Sequence, residues 1–197
     1  MMVATLWRGL VFIIAVAIAA RCSSGHACSV IPSYEFYEVT GSSEAELEAA
    51  LRANGPKDET GAVRFAYTDW TVEWQWKRLS DQTIDPDSIK LSCVAKILLP
   101  KLKESQGLAP ELLDAWDGFV QRTKEHELNH VAHIDKFAPR ILILSKQEYA
   151  KSGVLTRKRA EAIISQVIAE IRGHDRRYDA RTNHGFTEGT WKIQLKS

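Results

Sequence analysis

His126-Glu127-Leu128-Asn129-His130 is the stretch on which the reading of this chain turns. It lies within residues 110–149, where Leu112, Leu113, Trp116, Phe119 and Val120 recur at helical spacing and run straight into the first histidine. On a helix, residues four apart share a face and sit about 6 Å apart along the axis. The two imidazoles can therefore share one metal ion, with Glu127 placed beside them to work on a metal-bound water. Such a pentapeptide also arises by chance, on the order of once in a hundred chains of this composition. Its surroundings have to decide.

Downstream, Pro139 kinks or divides the helix, and Ile141 to Tyr149 continues it until Ser152-Gly153. Thr156 caps a second long helix over about 157–178, with Ala160, Ile163, Ile164, Val167, Ile168 and Ile171 facing inward. Upstream, Tyr34 to Val39 alternates as a strand, and Ser43 with Glu46 forms a capping box for a helix to about Ala53. Asn54-Gly55-Pro56 stops that helix. Residues 62–77 are β-rich, and their apolar phase switches by one residue after Thr68-Asp69, which predicts a bulge or a tight turn between two strands. Trp70, Trp74 and Trp76 share a face that reads as core before it reads as a binding platform. Ile89 to Leu99 alternates as a further strand, closed by Pro100. Strands first and helices later predict an α+β fold: a small N-terminal antiparallel sheet of three or four strands with a helix, followed by two long helices, zincin-like.

The 197 residues suffice for one ordinary domain, expected over 34–190. A net charge of +1 argues against a dedicated nucleic-acid binder. Arg8 followed by the apolar run from Gly9 to Ala20 reads as a secretory signal peptide over 1–20, too short to span a bilayer. A flexible mature N-terminus follows over 21–33. The chain is thus expected to be exported, periplasmic or extracellular, with no stable membrane insertion after cleavage. Of Cys22, Cys28 and Cys93, the last two are the expected disulfide partners, because Cys22 lies nearest the cleavage site.

A catalytic zinc takes three protein ligands and a water. His126 and His130 supply two. His133 shares their face, but it lies about 7.5 Å along the axis from their midpoint, too far for its imidazole to bend back. His174 sits among arginines and reads as solvated, and His26 lies in the leader. His184 follows the second long helix and can return over the first, with Gly185 permitting a sharp turn. It is the preferred third ligand, and Asp179 is the carboxylate alternative. Tyr178 is a candidate donor to a developing oxyanion.

His126-Glu-x-x-His130 behind a Trp116-containing helix, together with Tyr178-Asp-Ala-Arg-Thr-Asn-His-Gly185, resembles an uncharacterised bacterial family described as predicted secreted zinc-dependent proteases. The resemblance spans about 35–190 and takes in Gly55-Pro56, Thr68-x-Trp70, Trp74 and Pro100. It implies metal binding by His126 and His130, Glu127 as the general base, and Tyr178, Asp179 and His184 as the partner motif. The family often carries a second cysteine before the last helix, and residues 151–156 hold none.

The expected activity is hydrolysis of peptide bonds by one Zn2+ ion, acting on a peptide or protein substrate, with Glu127 as base and Tyr178 beside the oxyanion. The alternatives are a non-catalytic zinc-binding envelope protein and a glycan- or peptidoglycan-binding module using the tryptophan face.

Overall fold

Alternation along Lys90–Leu102 makes the central strand of a three-stranded sheet, seen in a computed structural model that describes residues 28–58, 60–80, 82–105 and 107–195. The elements follow as β1 (Ser33–Val39), α1 (Glu44–Asn54), β2 (Tyr67–Gln75), β3 (Lys90–Leu102), α2 (Pro110–Phe137), α3 (Arg140–Ser152) and α4 (Arg157–Thr182), with short 3-10 turns at Pro86–Ser88 and Phe186–Glu188. The fold is α+β, as expected. The sheet is not purely antiparallel. β2 pairs antiparallel with β3, Trp70 opposite Ala95, but β1 pairs parallel with it, Phe36 opposite Leu99. Alternation fixes which side chains share a face and leaves the direction of the neighbour open. Here α1 and β2 lie in the connection that returns the chain for a parallel pairing.

Two further expectations change. β3 runs through Pro100 to Leu102. β2 has already ended opposite Leu98, so Pro100 is paired on one side only, and its missing N–H costs no bond on the other. Residues 62–77 hold one strand in place of two: Val63 makes only an isolated bridge to Lys57, and the phase switch marks the entry into β2. Along β2, Thr68 and Val72 are buried and Trp70 and Trp74 are half-buried on the same face, packed with Trp76 against the core.

Local signals set the helix ends. The Ser43 hydroxyl accepts the Glu46 N–H, and the Glu46 carboxylate accepts the Ser42 N–H at 2.7 Å, one residue earlier than a strict capping box. Pro139 divides α2 from α3. Thr156 caps α4, which continues four residues past the expected end to Thr182. Ile97, Leu99, Ile134, Ile141, Ile164 and Val167 fill the space between sheet and helices, and a second cluster packs Leu47 and Leu51 of α1 against Phe119 and Ile193. Cys28 is bonded to Cys93, the expected pair, and the Val30 N–H donates to Asp135 at 2.7 Å. The start of the described chain is thereby tied to both the sheet and α2. The signal-peptide assignment, Cys22 and His26 lie outside the described residues. Among the described residues no helix is long and apolar enough to cross a membrane.

Candidate metal centre

The helical spacing of His126 and His130 does what it promised: both rings lie on the buried face of α2, 6 % and 8 % exposed, where α4 crosses it. Their Nε2 atoms converge on one oxygen. Asp179 Oδ1 lies 3.4 Å from His126 Nε2 and 3.2 Å from His130 Nε2. The far nitrogens are gripped as well, His126 Nδ1 by Glu188 at 2.7 Å and His130 Nδ1 by Asp175 at 3.1 Å. A carboxylate facing Nδ1 takes the Nδ1–H, which fixes the tautomer and leaves the Nε2 lone pair for a ligand. Two imidazoles and a carboxylate, each oriented by other groups, form a donor set that fits a divalent ion of the zinc type. Without an ion, the same atoms form an ion-pair network. Burial acts to lower the pKa of both histidines, but bonds to the carboxylates outweigh it. His126 is raised, and His130 is raised to about 10. Burial pushes the other way on Asp179 and Asp175, and the histidines hold both below the usual carboxylate range.

Glu127 is buried beside this group. Thr68 on β2 donates its hydroxyl to Glu127 Oε2 at 2.6 Å. Burial raises the Glu127 pKa, opposed by the two histidines and by Thr68, which makes the carboxylate a readier proton acceptor than a solvated glutamate. The centre opens into a cleft of about 810 Å³ between β2 and α4, with Thr68 and Trp70 on one wall and Arg172, Arg176 and His184 on the other side.

Of the residues expected from sequence, the structure brings His126, Glu127 and His130 together with Asp179, the alternative third ligand. It does not bring His184 into the converging set. That side chain is 42 % exposed, and its Nδ1 lies 4.0 Å from the other oxygen of Asp179. The reason is the helix end: α4 runs on through Asp179, so its carboxylate projects onto α2, whereas His184 lies beyond the left-handed turn made by Asn183 and His184 themselves, φ 49° and 53°. Tyr178 is at the centre, but its hydroxyl is committed. It donates to Glu188 at 3.0 Å and accepts from Asn129 at 2.9 Å, while its ring stacks on His126 at 4.8 Å. His133 sits behind His130 and donates to Asp175 at 2.7 Å. His174 is not freely solvated, since it stacks on Phe137 at 4.1 Å.

Asp175, Glu188 and Thr68 are site residues that the sequence reading missed. Asp175 is one helical turn before Asp179, a spacing that a search for acids facing the two histidines picks out. Glu188 lies on a 3-10 turn between Gly185 and Gly189, both at positive φ, and nothing local marks it. Thr68 reaches Glu127 only through tertiary packing.

Fold and site together define an α+β protein whose two long helices present a buried His/Asp group able to hold a metal ion. Residues 34–185 match a family described as bacterial protein of unknown function (DUF922), and the chain belongs to that family. Neither a curated protein nor a solved structure matches it.

Proposed function

We propose that this protein is an exported zinc-dependent metallopeptidase, with His126, His130 and Asp179 as the metal ligands. The observation that carries the reading is the convergence of two Nε2 atoms and one carboxylate oxygen beside a buried Glu127 that faces an open cleft. Two imidazoles and a carboxylate with room for water are the ligand pattern of catalytic zinc, which supplies a water acidified towards a pKa of about 7. Glu127 takes a proton from the attacking water and returns it to the leaving amine. Thr68 fixes which Glu127 oxygen faces the cleft, and Asp175 and Glu188 keep the imidazoles aimed. β2 is an edge strand and lies along the cleft, so an extended peptide can add to it as a strand. The Cys28–Cys93 disulfide supports an oxidising compartment and hence export.

The test is Glu127→Gln. Peptide hydrolysis should fall below detection while bound zinc per chain stays at the wild-type level. Hydrolysis at the wild-type rate would remove Glu127 from the mechanism.

A second reading, metal binding without catalysis, is favoured by one observation. His184 lies near enough to Asp179 to approach as a fourth ligand and close the site. In that case neither wild type nor Glu127→Gln cleaves any peptide, and both hold zinc.

A further inference from the structure

The charges that line the cleft are unevenly spoken for. Asp175 and Asp179 are engaged by the histidines, and Glu127 is bonded to Thr68. Arg64 is paired with Asp58 at 2.6 Å. Arg172 and Arg176 remain. Both are exposed on α4, and among the described residues neither has a carboxylate within ion-pair distance. They are four residues apart, so they share a face, and that face borders the same cleft as the metal ligands. Arg172 is further positioned by Trp70, whose ring lies 5.9 Å from its guanidinium carbon, and the Trp70 indole N–H donates to Asp175. On the β2 wall, Asp69 is exposed and would repel an anion, which leaves the α4 side as the place for one.

From this arrangement, and resting on the peptidase reading above, we propose that Arg172 and Arg176 bind a carboxylate of the substrate, making the preferred substrate an acidic peptide. Two guanidinium forks on one helix face suit a carboxylate better than isolated point charges do. Along the helix axis Arg176 and Arg172 lie roughly 4.5 and 10.5 Å from Asp179 at 1.5 Å per residue. An extended peptide advances roughly 3.3 Å per residue. The carboxylate therefore falls roughly one to three residues from the bond held at the metal. It can come from an acidic side chain or from the chain terminus.

Calorimetry on the zinc-loaded Glu127→Gln chain tests the proposal, since bound peptide then persists. The probes are alanine-rich hexapeptides capped at both ends with one Glu at each position in turn, their Gln counterparts, and the all-alanine peptide with a free or an amidated C-terminus. At least one Glu position, or the free terminus, should bind about tenfold more tightly than its neutral counterpart, the worth of one charge-assisted bond. That preference should vanish when Arg172→Gln and Arg176→Gln are added, while neutral peptides bind as before. Equal binding of acidic and neutral peptides, a preference that survives the double substitution, or no binding of any peptide would overturn it. Cleavage of the same peptides by the wild-type chain judges the peptidase reading separately: preference without cleavage sinks the hydrolysis and keeps the recognition, and cleavage without preference does the reverse.

Discussion

Asp175 holds the far nitrogen of His130 at 3.1 Å, one helical turn before Asp179 faces the near nitrogen of the same ring at 3.2 Å. α4 thus grips both ends of one imidazole with acids four residues apart. Trp70 and His133 donate to Asp175 in turn, so its carboxylate is fixed from three sides. Asp175→Asn should keep one zinc per chain but weaken it about 10- to 100-fold, the usual cost of removing a carboxylate behind a metal-bound histidine. Competition with a zinc chelator measures this. An unchanged affinity would make Asp175 only a structural partner.

Asp179 and His184 separate cleanly by substitution. Asp179→Ala removes a converging ligand and should abolish stoichiometric zinc at micromolar metal. His184→Ala should retain it, because its ring stands outside the set. Metal analysis of the two purified variants decides which residue completes the site. The reverse result would restore His184 as the third ligand.

The metal-free protein should lose stability as pH rises. His126 and His130 are raised above their ordinary 6.5, His130 to about 10. A group raised on folding stabilises fully below its unfolded pKa, and that stabilisation drains away as pH climbs through the folded value. Asp175 and Asp179 are depressed, so their share is present above their ordinary 3.8 and is lost as pH falls. Burial raises Glu127, which makes its ionisation a further cost above its ordinary 4.5. Thermal melts of apo protein should therefore peak on the acid side of neutrality and decline from pH 6.5 towards 10. Zinc-loaded protein should gain over the lower part of that range, because the ligands must shed protons to bind metal.

The Cys28–Cys93 bond spans 65 residues. In the chain-entropy account a loop of that length is worth about 4 kcal/mol, and strain or residual unfolded structure brings measured values down to about 2. Cys28→Ser paired with Cys93→Ser should lower unfolding free energy by that amount in denaturant titrations, with little change in zinc affinity.

What could be read from the sequence was what is local in sequence. The face shared by His126 and His130, the caps at Ser43 and Thr156, and the break at Pro139 each depend on residues within one or two turns. The direction of β1 against β3 depends on a connection some fifty residues long, and alternation is blind to it. Pro100 is a related case: a proline closes a strand only where the neighbour on the side its N–H would face needs that donor, and β2 does not reach past Leu98. At the site, Asp179 is legible in the sequence as the carboxylate alternative, and His184 is the preferred ligand there because a loop after the second long helix, with Gly185 for a sharp turn, can return over the first. α4 ends at Thr182, and the left-handed turn at Asn183 and His184 leaves the His184 ring outside the converging group. Asp175 stands among arginines in the sequence, and the bonds it accepts from Trp70 and His133 come from distant elements that local pattern does not show.

The two histidines sit on α2 and the acid that faces them on α4, roughly fifty residues further along the chain, with α3 between. An ion shared by those three side chains would be a removable cross-link that closes that intervening loop. Each tenfold excess of free ion over its dissociation constant would add about 1.4 kcal/mol to the folded state. The abundance of free metal around the chain would then set how long it stays folded.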